Sequence, residues 1–215
     1  SGHLYYGFHK VKGGLVYREW APGATAMHLI GEFNNWDRTS HPMKAVGDGN
    51  WEIMIPGVRT LRHRSKVKVA VTSARGTEDR IPLYATYVVQ DEKTHNFSAA
   101  IWNPRKEFAW TDGKFRPKKN VPPLIYEAHV GMATEEERVG TYLEFMRDIL
   151  PRIKKDGYNT VQLMAVMEHP YYASFGYQVS NFFAASSWYG TPDDLKALIN
   201  EAHAMGLSVL LDLVH

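Results

Sequence analysis

Trp36 stands in the turn FNNWD, directly after a strand-like run. A tryptophan on a turn, flanked by Asn and Asp, is poorly placed for a core, and an exposed large aromatic calls for a binding explanation. Lys68 points away from the valine face of its strand, where its ammonium is available to hydrogen-bond a ligand. The turn Gly47-Asp48-Gly49-Asn50 gathers backbone and side-chain donors in one place. The plainer alternatives are a solvated strand face for Lys68 and an ordinary turn for the glycine-rich segment. The absence of Cys excludes a thiol nucleophile, a disulfide scaffold and a thiolate zinc site. Ten His residues show no ligand spacing with carboxylates, so no metal site and no cofactor is expected. Gly13-Gly14 is no phosphate loop, because no Lys-Ser/Thr follows onto a helix.

The elements that must position these groups fall into two halves. Up to about residue 102 the pattern is short strands and frequent turns. Val67, Val69 and Val71 alternate with Lys66 and Lys68, and Trp51, Ile53 and Ile55 alternate likewise, which is the period of half-buried strands. Trp51 therefore reads as core. This half is expected to be a small all-β sandwich. Residues 103–123 are polar, basic and proline-rich and read as a connection, with Phe108, Trp110 and Phe115 able to pin it to a surface.

From Leu124 the pattern becomes strand, helix, strand, helix, strand. Thr141–Glu144 is a T-x-x-E capping box opening a helix with an apolar stripe at Tyr142, Phe145, Met146, Ile149, Leu150 and Ile153. Pro151 should bend that helix, and Gly157 should end it. Thr160–Met167 reads as one nearly all-apolar strand. Thr191-Pro-Asp-Asp opens the next helix, and Leu207–Val214 forms the last strand. Two such units in series imply a parallel sheet with right-handed crossovers. Three strands leave open apolar edges, so this half reads as the first part of a larger α/β domain. An eight-stranded barrel needs about 250 residues. The start lacks an initiator Met and the end falls inside an apolar run, so both termini read as cut.

Composition narrows the partners. The chain has 215 residues, with 25 Lys+Arg against 23 Asp+Glu, and its net charge of +2 argues against a polyanionic partner. The basic run Arg59, Arg62, His63, Arg64, Lys66 and Lys68 therefore reads as solvated surface, and no nucleic acid is expected. No apolar run reaches the roughly 18 residues of a membrane span, so no membrane partner is expected. Cys-free composition fits a reducing compartment, and cytoplasmic residence is the expectation.

Two blocks carry a resemblance. EWAPGATAMHLIGEFNNWD, followed by GDGNWEI, resembles the glucan-binding β-sandwich of glycogen and starch branching enzymes. LIYEAHVGM and the run from GYNTVQLMAVMEHPYYASFGYQVSNFFAASSWYGTP to SVLLDLVH look like the start of the α-amylase-superfamily catalytic barrel, in its branching-enzyme version. The resemblance implies a multidomain fold: an all-β immunoglobulin-like sandwich (1–102), a linker (103–123), and the first three β/α units of a (β/α)8 TIM barrel (124–215), which is incomplete here. It implies an enzyme that cuts α-1,4-glucan and transfers the freed segment to a 6-hydroxyl. A hydrolase or debranching enzyme of the same superfamily, and a non-catalytic glycan-binding protein, are the competing expectations.

The resemblance also assigns residues. The carboxyl groups of such chemistry sit on the fourth, fifth and seventh barrel strands, so no catalytic residue is assigned in this chain. Tyr177 in SFGYQV matches the tyrosine that lies under the sugar ring at the cleavage subsite, and Asp212 in DLVH matches a supporting residue at the base of that pocket. Asp212 read alone is a polar strand-end residue with a backbone partner. Tyr171, Tyr172 and Phe175 are read as structural, and Gln178 as a weak candidate for a sugar hydroxyl. In the β-sandwich, Trp36 matches a tryptophan that stacks on glucose, and Trp20, Ala21 and Pro22 match the segment lining the same groove. Lys68 and Gly47, Asp48, Gly49 and Asn50 complete the set. The implied partner is α-1,4-glucan or maltooligosaccharide.

Overall fold

The computed structural model describes residues 1–57 and 59–215. The chain divides into two compact units, Ser1–Arg105 and Lys106–His215.

The first unit contains β1 (Gly7–Val11), β2 (Gly14–Trp20), β3 (Ala26–Gly31), β4 (Lys44–Gly47), β5 (Asn50–Pro56), β6 (Lys66–Ser73), β7 (Gly76–Arg80), β8 (Val88–Gln90) and β9 (Phe97–Ala100). They form two sheets. One runs β1-β2-β5-β4, and the other runs β3-β6-β9-β8 with β7 on β6, all antiparallel. Alternation sets the inner faces of this β-sandwich. Val67 and Val69 are buried while Lys66 and Lys68 are half-exposed. Tyr17, Met27, Leu29 and Ile55 are fully buried, and Trp51 belongs to this core, its indole N–H donating to the Ala21 carbonyl at 3.1 Å.

The second unit contains β10 (Ile125–Ala128), α1 (Tyr142–Glu144), a π turn (Phe145–Ile149), α2 (Leu150–Lys155), β11 (Thr160–Leu163), β12 (Met167–Glu168), β13 (Asn181–Ala185), α3 (Pro192–Ala204) and β14 (Ser208–Leu211). The parallel sheet runs β10-β11-β14. Both predicted capping boxes form. Thr141 and Glu144 exchange bonds at the start of α1, and Thr191 and Asp194 do so at α3, with Pro192 in the first turn. The π turn lies immediately before Leu150–Pro151, where proline cannot donate into the helical ladder. Tyr142, Phe145, Leu150, Ile153, Val161, Leu163, Leu198 and Ala202 form one core between the helices and the sheet.

Two expectations need correction. Thr160–Met167 is not one strand. β11 stops at Leu163, and Met167–Glu168 becomes a separate strand paired antiparallel with β13. The apolar run conceals that break because both pieces are buried. The connection, expected to be pinned by its aromatic residues, groups with the second unit from Lys106 onward. Thr111 bonds Asn200, Asp112 pairs with His203 at 2.6 Å, and Phe115 stacks on the His203 ring at 4.2 Å. Finally, Tyr171 is exposed rather than packed, whereas Tyr172 does pack against the core, with its ring near Trp188.

Candidate functional sites

In the first unit the predicted residues separate into two clusters. Trp36 follows Asn34 and Asn35 on a turn that reverses sharply. Asn35 and Trp36 both take left-handed backbone angles, a conformation Asn tolerates well. Asn34 secures the turn: its carbonyl oxygen accepts from Gly31 N–H, and its amide donates to the carbonyls of Leu29 and Asp37. The indole of Trp36 remains 39% exposed and lines a cavity of about 420 Å3. Lys68 lines the same cavity from β6, beside Lys66. Lys66 Nζ reaches Asp91 at 3.1 Å, and Arg38 reaches Asp79 at 2.7 Å, both pairs lying on the cavity wall. Hydrogen bonds from Thr94 and Lys93 amides and from Lys66 hold the Asp91 carboxyl well below the usual carboxylate range.

Trp20, Ala21 and Pro22 do not line that cavity. They sit on the other sheet, against the β4–β5 turn. Trp20 Nε1 donates to the Asp48 carbonyl at 3.1 Å, and Ala21 N–H donates to Gly49. Gly49 has a positive φ, and a side chain there would stand 2.8 Å from Pro22, so only glycine permits this contact. Asn50 closes the turn through Gly47 and accepts from the Tyr6 hydroxyl at 2.7 Å. Trp20 is 53% exposed. The residues expected in one groove thus fall into two clusters, with Trp20 and Lys68 on strands of different sheets.

The second unit brings Tyr177 and Asp212 together, although 35 residues separate them. Parallel pairing aligns Glu127 of β10 with Gln162 of β11, and Gln162 with Leu210 of β14. Asp212, two residues beyond Leu210, falls on the same face as Gln162. Gln162 Nε2 donates to Asp212 Oδ1 at 2.9 Å, and Tyr177 donates to Asp212 Oδ2 at 2.7 Å. The loop reaches this point through Phe175 and Gly176, both at positive φ. A side chain on Gly176 would meet the Ala165 carbonyl oxygen at 2.1 Å. Partial burial, then the bond to Asp212, raises the Tyr177 phenol. Its ring stays half-exposed beside a carboxylate, a flat face with polar groups at its edge. Gln178 and His215 are exposed, with no hydrogen bond between either and Asp212.

Three polar residues of the second unit, Gln162, Glu168 and His169, were not singled out in advance. Gln162 was hidden in a strand read for its apolarity, although a lone amide in such a run is the signal that would have found it. Glu168 and His169 are almost wholly buried at the end of the same run. Glu168 accepts from the N–H groups of His169 (3.1 Å) and Ser187 (2.9 Å), yet burial pushes its carboxyl up to about 7. His129 accepts from Met132 N–H through Nδ1 and meets the Tyr189 hydroxyl through Nε2, and burial holds it below its usual range. Among the described residues there is no group of acidic residues and histidines able to hold a metal ion.

Comparison with known proteins divides the chain in the same way. Residues 5–85 match the family Carbohydrate-binding module 48 (Isoamylase N-terminal domain), and residues 124–215 match Alpha amylase, catalytic domain. The 1,4-alpha-glucan-branching enzyme of Rhizophagus irregularis is 52% identical over 208 residues, covering 94% of this chain and 30% of that protein. The enzyme of the same name from Solanum tuberosum is 47% identical, covering 100% of this chain and 26% of its own length. The chain thus spans about a third or less of the curated relatives it matches. Among solved structures, a putative alpha amylase from Salmonella typhimurium aligns with a TM-score of 0.78 at 24% identity, over 97% of this chain and 33% of that one. Pullulanase from Bacillus acidopullulyticus aligns with a TM-score of 0.78 at 23% identity, over 100% and 30%. At those identities the two structures speak for the fold alone.

Proposed function

The chain joins a carbohydrate-binding module 48 to the first part of an alpha amylase catalytic domain, of the kind 1,4-alpha-glucan-branching enzymes carry, and from that premise we propose that the whole protein is a 1,4-α-glucan branching enzyme. It cleaves an α-1,4 link and transfers the freed segment to a 6-hydroxyl of a glycogen- or starch-like glucan. The observation that carries this reading is the identity of about half the residues, across both units in order, with enzymes of that name.

Retaining transfer needs two carboxyl groups flanking the scissile bond, one as nucleophile and one as acid and then base. The three barrel strands here contribute the sugar-holding side of the site. The Tyr177 ring offers a flat apolar face with few rotors to the C–H face of a glucose unit. Asp212 fixes that ring's tilt by accepting its hydroxyl, and Gln162 fixes Asp212 by donating to its other oxygen. In the first unit, Trp36 with Lys68, and Trp20 with the 47–50 turn, supply two further stacking surfaces for the same polymer. Two points of attachment on a long chain raise the effective concentration of glucan at the transfer site. We place this activity in glucan storage metabolism and in the cytoplasm, a reducing compartment with which a Cys-free chain is compatible.

The test is to incubate the whole enzyme with amylose. Branching lowers iodine staining while reducing ends stay constant and α-1,6 links accumulate. A rise in reducing ends without new α-1,6 links would indicate a hydrolase. Maltooligosaccharide binding by the whole enzyme without turnover would leave only a glycan-binding protein. Either result removes the assignment.

A further inference from the structure

The segment from Lys114 to Pro123 closes one side of a cavity of about 690 Å3 in the second unit. The cavity lies at the start of the parallel strands, against Pro123, Asn159, Thr160 and Ser208, whereas Asp212 stands past their other end. Its lining carries four cationic side chains, Lys114, Arg116, Lys118 and Lys154, and no carboxylate. In a chain of net charge +2 such a local excess is not a consequence of composition. The carboxylate nearest in sequence to one wall, Asp112, is tied to His203 at 2.6 Å. On the other wall Asp156 is exposed and does not line the cavity.

One cation has a structural explanation. The ammonium of Lys154 lies 3.7 Å from where a side chain on Gly206 would stand, at the C-terminal end of α3, where the helix dipole favours positive charge. Among the described residues Lys114 and Lys118 have no such partner. Their wall is nonetheless held firmly. Phe115 is stacked on His203, and Arg116 braces the turn by donating to the carbonyls of Gly113 and Phe115. Phe115 and Tyr158 add ring surface to the lining. Gathered cations facing no counter-charge raise the local concentration of anions, and a recess of this size holds a small organic molecule.

We propose that this cavity binds a phosphate-bearing small molecule of the sugar-phosphate class, with Lys114, Lys118 and Lys154 donating to the phosphate oxygens and the rings of Phe115 and Tyr158 against the organic part. Lysine suits this role as a compact point charge with three donors.

The experiment is calorimetric titration of the whole protein with glucose 6-phosphate, inorganic phosphate and glucose, at low salt. Glucose 6-phosphate binds, inorganic phosphate competes for the same site, and glucose alone does not bind there. The double variant Lys114→Gln/Lys118→Gln binds glucose 6-phosphate about tenfold or more weakly, as expected for losing charge-assisted hydrogen bonds. The double variant Lys12→Gln/Lys106→Gln, the same charge change away from the cavity, binds as the wild type does. Melting temperatures of the variants show that each remains folded. Absence of binding by both phosphate probes, or equal binding by the double variant, overturns the proposal. Neither result bears on glucan transfer, which is read by a separate assay.

Discussion

The phenolic hydroxyl of Tyr177 donates to Asp212 Oδ2 at 2.7 Å, while Gln162 donates to the other oxygen of the same carboxylate at 2.9 Å. A loop residue and a strand residue are thereby locked into one unit, and the carboxylate holds the ring by its hydroxyl. Removing the hydroxyl and removing the ring should then have different consequences. In the whole enzyme, Tyr177→Ala should lower kcat/KM for amylose at least tenfold, because the stacking face is gone. Tyr177→Phe keeps the face and should lose no more than about fivefold, the worth of one hydrogen bond. Equal losses in the two variants would show that the ring itself does not meet the sugar.

Asp212→Ala should be worse for stability than Asp212→Asn. Alanine takes the acceptor from the Tyr177 hydroxyl and leaves the Gln162 amide only its longer contact to Glu127 at 3.4 Å, at a cost of about 1–3 kcal/mol for a group from which water is excluded and less for one that remains partly wet. Asparagine still offers Gln162 an oxygen and Tyr177 a polar partner. Urea unfolding of both variants measures the gap, and a larger loss for Asp212→Asn would contradict the geometry.

Trp36→Ala should weaken maltooligosaccharide binding at the first unit while leaving its melting temperature nearly unchanged, because an exposed ring contributes little to the core. Trp51→Phe should do the reverse. It leaves sugar binding alone and costs about 1 kcal/mol through the lost bond to Ala21. Affinity electrophoresis in glycogen gels, alongside thermal melting, separates the two effects. Unchanged mobility of Trp36→Ala would remove Trp36 from the binding surface.

Glu168 sets a pH dependence whose sign follows from its raised pKa. The folded carboxyl titrates at about 7, against about 4.5 in the unfolded chain. Between those values the native state holds the proton more tightly, so this group's contribution falls as pH rises from 4.5 to 7 and is constant above. His129 and His169, both lowered by burial, work in the opposite sense and lose stability as pH drops below about 6.5. The wild-type profile alone therefore mixes the two. The stability of Glu168→Gln minus that of the wild type isolates the acid, and it should grow by about 1.4 kcal/mol per pH unit across the window. A flat difference would mean that the carboxyl titrates normally.

Thr191→Ala should destabilise the second unit by about 1 kcal/mol, since the hydroxyl accepts from Asp194 N–H at the start of α3. Chemical denaturation monitored by circular dichroism reads this directly, and a loss below 0.3 kcal/mol would show that the cap is replaced by water.

Local chemistry was legible in the chain. The two capping boxes, the valine alternation of β6, the exposure of Trp36 and the burial of Trp51 each depend on a few neighbouring residues, whose periods and hydrogen-bonding groups act over one or two turns. The order of the three parallel strands and the helices between them followed from the same short-range rules, whereas β13 was not foreseen. Other features depended on which distant segments meet. The break between Leu163 and Met167 exists because β13 comes back to pair with Met167 and Glu168, and an apolar string carries no mark of where a partner will join it. The separation of Trp20 from Lys68 follows from sheet assignment, which is a matter of non-local pairing. Asp212 could be read as a strand end. That its two oxygens would be divided between Tyr177 and Gln162 was decided only when parallel strands in register met a glycine-tight loop, because hydrogen-bond geometry is a property of positions in space and not of spacing along the chain.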